Sequence, residues 1–322
     1  MGNDKKIPER IYKYRDFSQR TLDMVISDGV YYADPSTFND PLDSRPSLKI
    51  DLGEAKLEDV LRNFVERRTS AEMSAAAKAI KYRGPKTMDH ITWHSGRQAD
   101  QRIAEIEDHA GDPDYDYEEG KRLLLGRDIE KELLRQYDKG IVSLAERADC
   151  LLMWSHYGDQ HRGVCIGYSV PVKAANDLHK VEYGGSRLVE ASKVAAMLEG
   201  NDAARGQVDE AVLLQKAASW GYEREWRLIG PRGLQDSPLE LEEIIFGMRC
   251  EDSLKYAVMK ALEDRDRLVK FYEMLEVPGT FDLRKYALNY DDELFVYFPR
   301  RSFSIIERFE NCHLVASSVG GK

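Results

Sequence analysis

Between about Glu54 and Lys139 this chain changes from strand-like alternation to helical spacing, and no other feature restricts its fold more. Leu57, Val60, Leu61, Phe64 and Val65 recur at three- and four-residue intervals, which aligns them on one helix face. Glu118 to Tyr137 repeats the pattern with Leu123, Leu124, Ile129, Leu133 and Leu134. Between the two, Ala110-Gly-Asp-Pro-Asp-Tyr-Asp116 is dense in turn formers and breaks the run. Helices set apart from strands predict an α+β chain. We read 1–322 as a single α+β domain, with 54–139 as a helical insertion within it.

The strands are short. Ile11-Tyr-Lys-Tyr-Arg15 and Val30-Tyr-Tyr-Ala33 are predicted strands, and Ser18 caps a helix that runs to about Ser27. Asp34-Pro-Ser-Thr-Phe-Asn-Asp-Pro41 is a stiff loop. Strands resume at Gly140–Leu144 and Val164–Tyr168. Glu190 to Ala218 is mostly helical with a break near Gly200, and Trp220 to Ile229 turns β-like. Glu242–Gly247 is a strand entering a turn, 251–276 a helix or helix pair, and 283–289, 293–298 and 302–307 are further strands.

Lys and Arg number 47 against 57 Asp and Glu, a net charge of −10. That balance disfavours a broad nucleic-acid coat, which needs clustered cations, and leaves room for a local basic surface. Cys150, Cys165, Cys250 and Cys312 form no C-x-x-C pair and are expected as reduced thiols. The first residues lack the apolar core of a secretory signal, and no run approaches the roughly 18 apolar residues of a membrane span. We expect a cytoplasmic protein with no membrane partner.

Chemistry-bearing residues concentrate in Leu151-Leu-Met-Trp-Ser-His-Tyr157 and the polar turn that follows, with Asp159, Gln160, His161, Arg162 and Gly163. Hydroxyl and imidazole groups at the end of an apolar run cost free energy unless bonded, so such clusters gather at sites. Ser155, His156 and Tyr157 can orient a ribose, or hold an aromatic ring between Tyr157 and Trp154. Equally, the two aromatics can be core residues and His156 a cap on a carbonyl. Tyr12, Tyr14 and Arg15 form a second motif. In Tyr222-Glu-Arg-Glu-Trp-Arg227, Glu223 and Glu225 are expected on a β segment with their carboxylates turned apart, one towards a pocket and one towards solvent. The plain alternative is a wet strand whose glutamates pair with Arg224 and Arg227. No metal is expected: His156 and His161 lack zinc-motif spacing, and no Glu follows His90 in the His90–His94 pair. A serine-nucleophile elbow and Gly-rich phosphate loops are absent.

Taken in order, Ile11-Tyr-Lys-Tyr-Arg15, Phe38-Asn-Asp-Pro41, Met153-Trp-Ser-His-Tyr157, His161-x-Gly163, Trp220-x-Tyr-Glu-x-Glu-Trp-Arg227 and Ile244-Ile-Phe-Gly247 resemble the bacterial domain of unknown function 2971. The motif order also resembles, remotely, the ADP-ribosyltransferase fold. That resemblance implies a mixed, mostly antiparallel sheet core and NAD as substrate. It carries Arg15, then Ser155 or Tyr157, then Glu225 into that fold's three positions. The glutamate is then expected on the ribose 2′-hydroxyl, stabilising an oxocarbenium-like transition state. Arg15 would hold a pyrophosphate or ribose oxygen, Tyr157 would stack on nicotinamide, Ser155 would support the glutamate and Glu223 would face the acceptor. His156 joins this catalytic group. Tyr12, Tyr14, Asn39, Asp40, Trp154 and His161 are grouped with Arg15 on the NAD-binding side, with the 35–41 loop closing over the ligand.

The resemblance implies a transferase or NAD glycohydrolase, a bacterial toxin or phage-defence effector by type. Its acceptor would be a protein or a nucleic acid, and its partner an antitoxin or defence protein. The sequence departs from the arginine-specific branch, which has Ser-Thr-Ser where this chain has Trp-Ser-His. Two other classes remain: a nucleotide- or nucleic-acid-binding module without turnover, with basic residues around Arg15, Arg162 and Arg227, and a nuclease using His156 and His161.

Overall fold

A computed structural model describes residues 7–288 apart from 83, 112–115 and 138. The strands expected at 293–298 and 302–307, the end of the one at 283–289, and Cys312 lie outside the described residues. The architecture is α+β, with mostly antiparallel strand pairing. By its contacts the chain divides into two compact units, one of Met1–Gly29, Glu146–Pro171 and Asp236–Lys322, the other of Val30–Ala145 and Val172–Gln235.

In the first unit five strands follow the order Leu283–Ala287, Lys270–Glu276, Glu240–Phe246, Val164–Ser169, Ile11–Arg15. Ile11–Arg15 runs antiparallel to Val164–Ser169, with Ile11 opposite Tyr168 and Arg15 opposite Val164. Val164 to Tyr168 is buried on both faces, which explains its unbroken apolar run. Glu240–Phe246 and Lys270–Glu276 pair in parallel, and the Asp252–Ala261 helix makes the crossover that parallel pairing demands. This corrects the expected helix or helix pair over 251–276: only its first part is helical. In Lys270-Phe-Tyr-Glu-Met-Leu-Glu276, Phe271 and Met274 pack inward from a strand. The Gln19–Ile26 helix begins as expected, with the Ser18 hydroxyl accepting from Thr21 N–H.

The second unit sets helices against a small antiparallel sheet. Glu225–Pro231 pairs with Lys139–Ala145 on one side and Leu178–Lys180 on the other. The 54–139 stretch holds three helices, Glu54–Ala79, Thr87–Ala110 and Tyr117–Gln136. Leu57, Leu61, Phe64, Leu125, Ile129 and Leu133 join one core with residues of the Ala191–Leu198 and Asp202–Leu213 helices. Buried Lys121 ties the three helices together, reaching Glu54 and Glu58 on the first and Glu107 on the second at 2.7–2.9 Å. No helix among the described residues is long and apolar enough to cross a membrane.

Candidate functional site

The strand Glu225–Pro231 carries a fully buried arginine. Arg227 donates from Nη2 to both Asp43 oxygens at 2.8 and 2.7 Å, from Nε to Glu225 at 2.8 Å, and from Nη1 to Ser44 Oγ and the Leu213 carbonyl. Lys216 completes the cluster, with Nζ 2.5 Å from Glu223, 2.9 Å from Glu225 and 3.3 Å from Asp43. Three carboxylates thus surround two cations, all of them buried. Burial by itself would raise the Glu225 carboxyl, but Arg227 and Lys216 outweigh it and hold the group well below the usual carboxylate range. For Lys216 the carboxylates likewise overcome desolvation, so its ammonium is held more firmly than an ordinary lysine's.

Glu223 and Glu225 do not face apart. Residues i and i+2 of a strand share a face, and Glu223 is not on the strand at all. It ends a 3₁₀ turn, Ala218–Glu223, and Arg224 then turns left-handed at φ 46°. Both carboxylates meet at Lys216, while Arg224 is exposed. The wet-strand alternative fails too, because the Arg227–Glu225 pair is buried.

Aromatic rings flank the charges. Lys216 Nζ lies 5.3 Å from the Trp220 ring centre and the Arg227 guanidinium 5.6 Å from that of Phe38. Trp220 Nε1 donates to Asp40 at 2.7 Å, and the Tyr183 hydroxyl accepts from Glu225 N–H at 2.7 Å. The 34–41 loop and the Trp220–Arg227 motif, 180 residues apart, therefore belong to one place. A cavity of about 470 Å³ opens beside them, lined by Phe38, Asp40, Asp43, Ser44, Tyr137 and Arg232 among others. Asn39 is exposed at its edge of the loop. Sequence reasoning missed Asp43 and Lys216. Lys216 sits in a stretch read as helical but forms a two-residue strand, Gln215–Lys216, with Glu182–Tyr183.

The remaining predicted site residues lie in the first unit. Trp154 and Tyr14 are buried. Their rings meet edge-on at 5.2 Å, Trp154 Nε1 donates to the Ala148 carbonyl, and the Tyr14 hydroxyl donates to that of Arg147. These two aromatics are core, which leaves neither a face for a ligand. Ser155 and His156 are exposed on the Leu151–His156 helix, so the cost of burying polar groups does not apply to them. Tyr157, half-buried, follows that helix, with its ring 6.3 Å from that of His156. Arg15 is half-buried with Nη2 on Met24 Sδ at 3.1 Å, and Tyr12 is half-buried beside Lys285.

Asp159, Gln160 and His161 are consecutively left-handed, with φ of 47°, 53° and 69°. Each such non-glycine residue costs on the order of 1 kcal/mol, so this turn is held by its surroundings. His161 N–H bonds the Trp154 carbonyl, Arg249 N–H bonds that of His161, and the imidazole stacks on Trp154 at 6.1 Å. Burial and the neighbouring Arg249 both lower the His161 imidazole, favouring its neutral form. Ser155, Gln160 and His161 border a cavity of about 420 Å³ with Arg249, Glu276 and Asp282.

Gly163 closes this turn where a Cβ would run into the Arg15 carbonyl oxygen. Gly163→Ala is expected to destabilise the protein by about 1–3 kcal/mol, from overpacking against backbone. Gly206→Ala, in the Asp202–Leu213 helix with open space at its Cβ, is expected to stabilise by up to about 1 kcal/mol. Urea denaturation of the two variants checks the contrast, and equal midpoints would refute it.

Among the described residues no group of three or more His, Cys, Asp or Glu side chains is placed to hold a metal ion. No curated protein and no solved structure matches the chain. The family described as protein of unknown function (DUF2971) has a model that matches residues 153–228, from Met153 through the Glu225–Arg227 motif, and over that stretch the chain is similar to this family.

Proposed function

We propose that the chain is an NAD-consuming enzyme of the ADP-ribosyltransferase or NAD glycohydrolase type, with Glu223, Glu225 and Asp43 as its acidic centre. One observation carries this: three buried carboxylates are assembled around only two cations, beneath the Trp220 ring. A fixed excess of negative charge in a water-poor setting favours the positive charge that develops on a ribose anomeric carbon as nicotinamide leaves. Phe38 offers a flat surface for an aromatic ring in the adjoining cavity, which is of small-ligand size and which Asp43 of the cluster also lines, while Trp220 covers Lys216. Within the cluster, Glu225 is bound by Arg227 and Lys216 together, so it holds the site in shape. Glu223 is the carboxylate we assign to the substrate. An effector role against phage, or as a toxin, would follow from NAD depletion or from modification of a protein or nucleic-acid acceptor.

Incubation of the purified chain with NAD, followed by assay of free nicotinamide, tests the proposal. Glu223→Gln is expected to cut release by about 10²–10³-fold, the scale of losing one transition-state electrostatic group, and, because Glu223 is a buried partner of Lys216, release is assayed well below the melting temperature of both proteins. Release that survives this substitution would remove Glu223 from the chemistry. No release under any condition would sink the NAD proposal.

A second class, nucleotide binding without turnover, is favoured by a different observation. Arg227 and Glu225 satisfy one another so fully that the cluster also serves as a scaffold for the cavity wall. Under that reading NAD or a related nucleotide raises the melting temperature, and no nicotinamide is released.

A further inference from the structure

The hairpin between the Glu54–Ala79 and Thr87–Ala110 helices departs from the charge balance of the rest of the chain. From Met73 to Ala99 there are five Lys or Arg residues (Lys78, Lys81, Arg83, Lys86, Arg97) and one acid, Asp89, in a chain of net charge −10. Lys78, Lys81, Lys86 and Arg97 are exposed. The same tip exposes large rings: Trp93 is 56% accessible and Tyr82 60%.

The geometry of the second helix sorts its residues. Ile91, Ser95, Ala99, Ile103 and Ile106 are buried. His90, Trp93, His94 and Arg97, spaced at three, four and seven residues, follow the adjoining stripe, with Lys86 at the helix start. The rings along this stripe are aligned. His90 and His94 stack at 6.2 Å with planes 10° apart, His90 and Trp93 lie 6.2 Å apart, and the Arg97 guanidinium sits 5.1 Å from the Trp93 ring centre. Trp rarely stays this exposed on a helix without a partner, because its ring has a large apolar area to cover.

We infer that this tip is a binding surface for single-stranded nucleic acid. The required parts are present: flat rings that stack with bases whatever their identity, and exposed cations spaced along the path to neutralise phosphates. The cations and rings gather on one hairpin of an otherwise acidic chain, where the 73–99 stretch carries a single acid, and this charge complementarity selects a polyanion. The rings select one with unpaired bases. Neither the acidic centre nor NAD is needed for this contact.

The test uses the full chain and fluorescently labelled 20-mers of oligo-dT and oligo-U, read by anisotropy over a salt series. Binding is expected with a log–log salt slope of about −3, for four phosphates neutralised at roughly −0.7 each. Trp93→Ala is expected to weaken binding about ten-fold through lost stacking, and the pair Lys81→Glu with Lys86→Glu to abolish it. All three residues are exposed, so an unchanged melting curve separates lost binding from lost folding. Comparing oligo-dT with oligo-U assigns DNA or RNA. Absence of binding at low salt, binding that these substitutions leave intact, or preference for phosphatidylserine vesicles over both 20-mers would overturn the inference. Nicotinamide release, measured on the same variants, is expected to be unchanged, so this surface and the acidic centre fail or stand separately.

Discussion

Arg227→Ala is expected to destabilise the second unit by about 3–5 kcal/mol, the cost of leaving buried charges without their partner. Arg227 is fully buried and binds Asp43 through both carboxylate oxygens, Glu225 through Nε and Nη2, and the Leu213 carbonyl. Its removal strands two carboxylates and an acceptor in a place water cannot reach. Arg227→Met restores volume without charge and should recover little. For a unit of this size the loss corresponds to a fall of roughly 10 °C in melting temperature. Calorimetry and guanidinium denaturation check it, and a loss under about 1 kcal/mol would show that the cluster is not the unit's anchor.

The same cluster sets an acid limit. Glu225 is held below its ordinary value of 4.5, so its contribution is complete above that value in the folded protein and is lost as pH falls below it. Lys216 has the opposite sign: raised above its ordinary 10.5, it contributes fully below that pH and loses its contribution as pH rises beyond. Stability is therefore expected to decline on the acid side below about pH 4.5, more steeply in the wild type than in Arg227→Ala, where the cation that depresses Glu225 is gone.

Trp154→Ala should be the most damaging change in the first unit, at about 3–5 kcal/mol for a large buried aromatic. The ring is fully buried, edge-on to Tyr14, stacked under His161, and in the path of any Cβ at Gly158 or Gly247. Losing it removes the support under three successive left-handed residues, Asp159 to His161, which have no local reason to keep that shape. Trp154→Phe keeps most of the packing but loses the Nε1 bond to the Ala148 carbonyl, and should cost about 1 kcal/mol from that bond. Denaturation midpoints of the two variants, with protease sensitivity at 158–163, give the comparison. If alanine is tolerated to within 1 kcal/mol, the turn is stabilised elsewhere.

Much of the local structure was legible. Spacing of Leu57, Leu61 and Phe64, and of Ile129 and Leu133, marked helices whose faces are buried, because burial of a helix stripe is a local periodic constraint. Ser18, with its side chain free to accept an N–H, marked a helix start. The apolar residues of Val164–Tyr168 marked a strand, and the structure covers both its faces. The 251–276 stretch was misread, since Phe271 and Met274 stand at helical spacing, and only the pairing of Lys270–Glu276 with its neighbours shows a strand with a buried residue on each face.

The candidate site was legible only in part. The Phe38–Pro41 loop and the Glu223–Arg227 motif stood out in the sequence, but nothing local joined them. Their union depends on Trp220 reaching Asp40 and Arg227 reaching Asp43, contacts across 180 and 184 residues. Trp154 and Tyr14 looked like ligand-facing aromatics and are core, because residue type does not reveal which way a ring points.

What the sequence determined by itself was the α+β class, the helical character of 54–139 and the caps and turns that punctuate it. These follow from periodicity and backbone preference within a few residues. Only the tertiary structure decided that Asp43, Lys216, Glu223, Glu225 and Arg227 form one buried charged centre. Charges separated along the chain are ordinarily expected in water, and only the packing that excludes water forces them to pair.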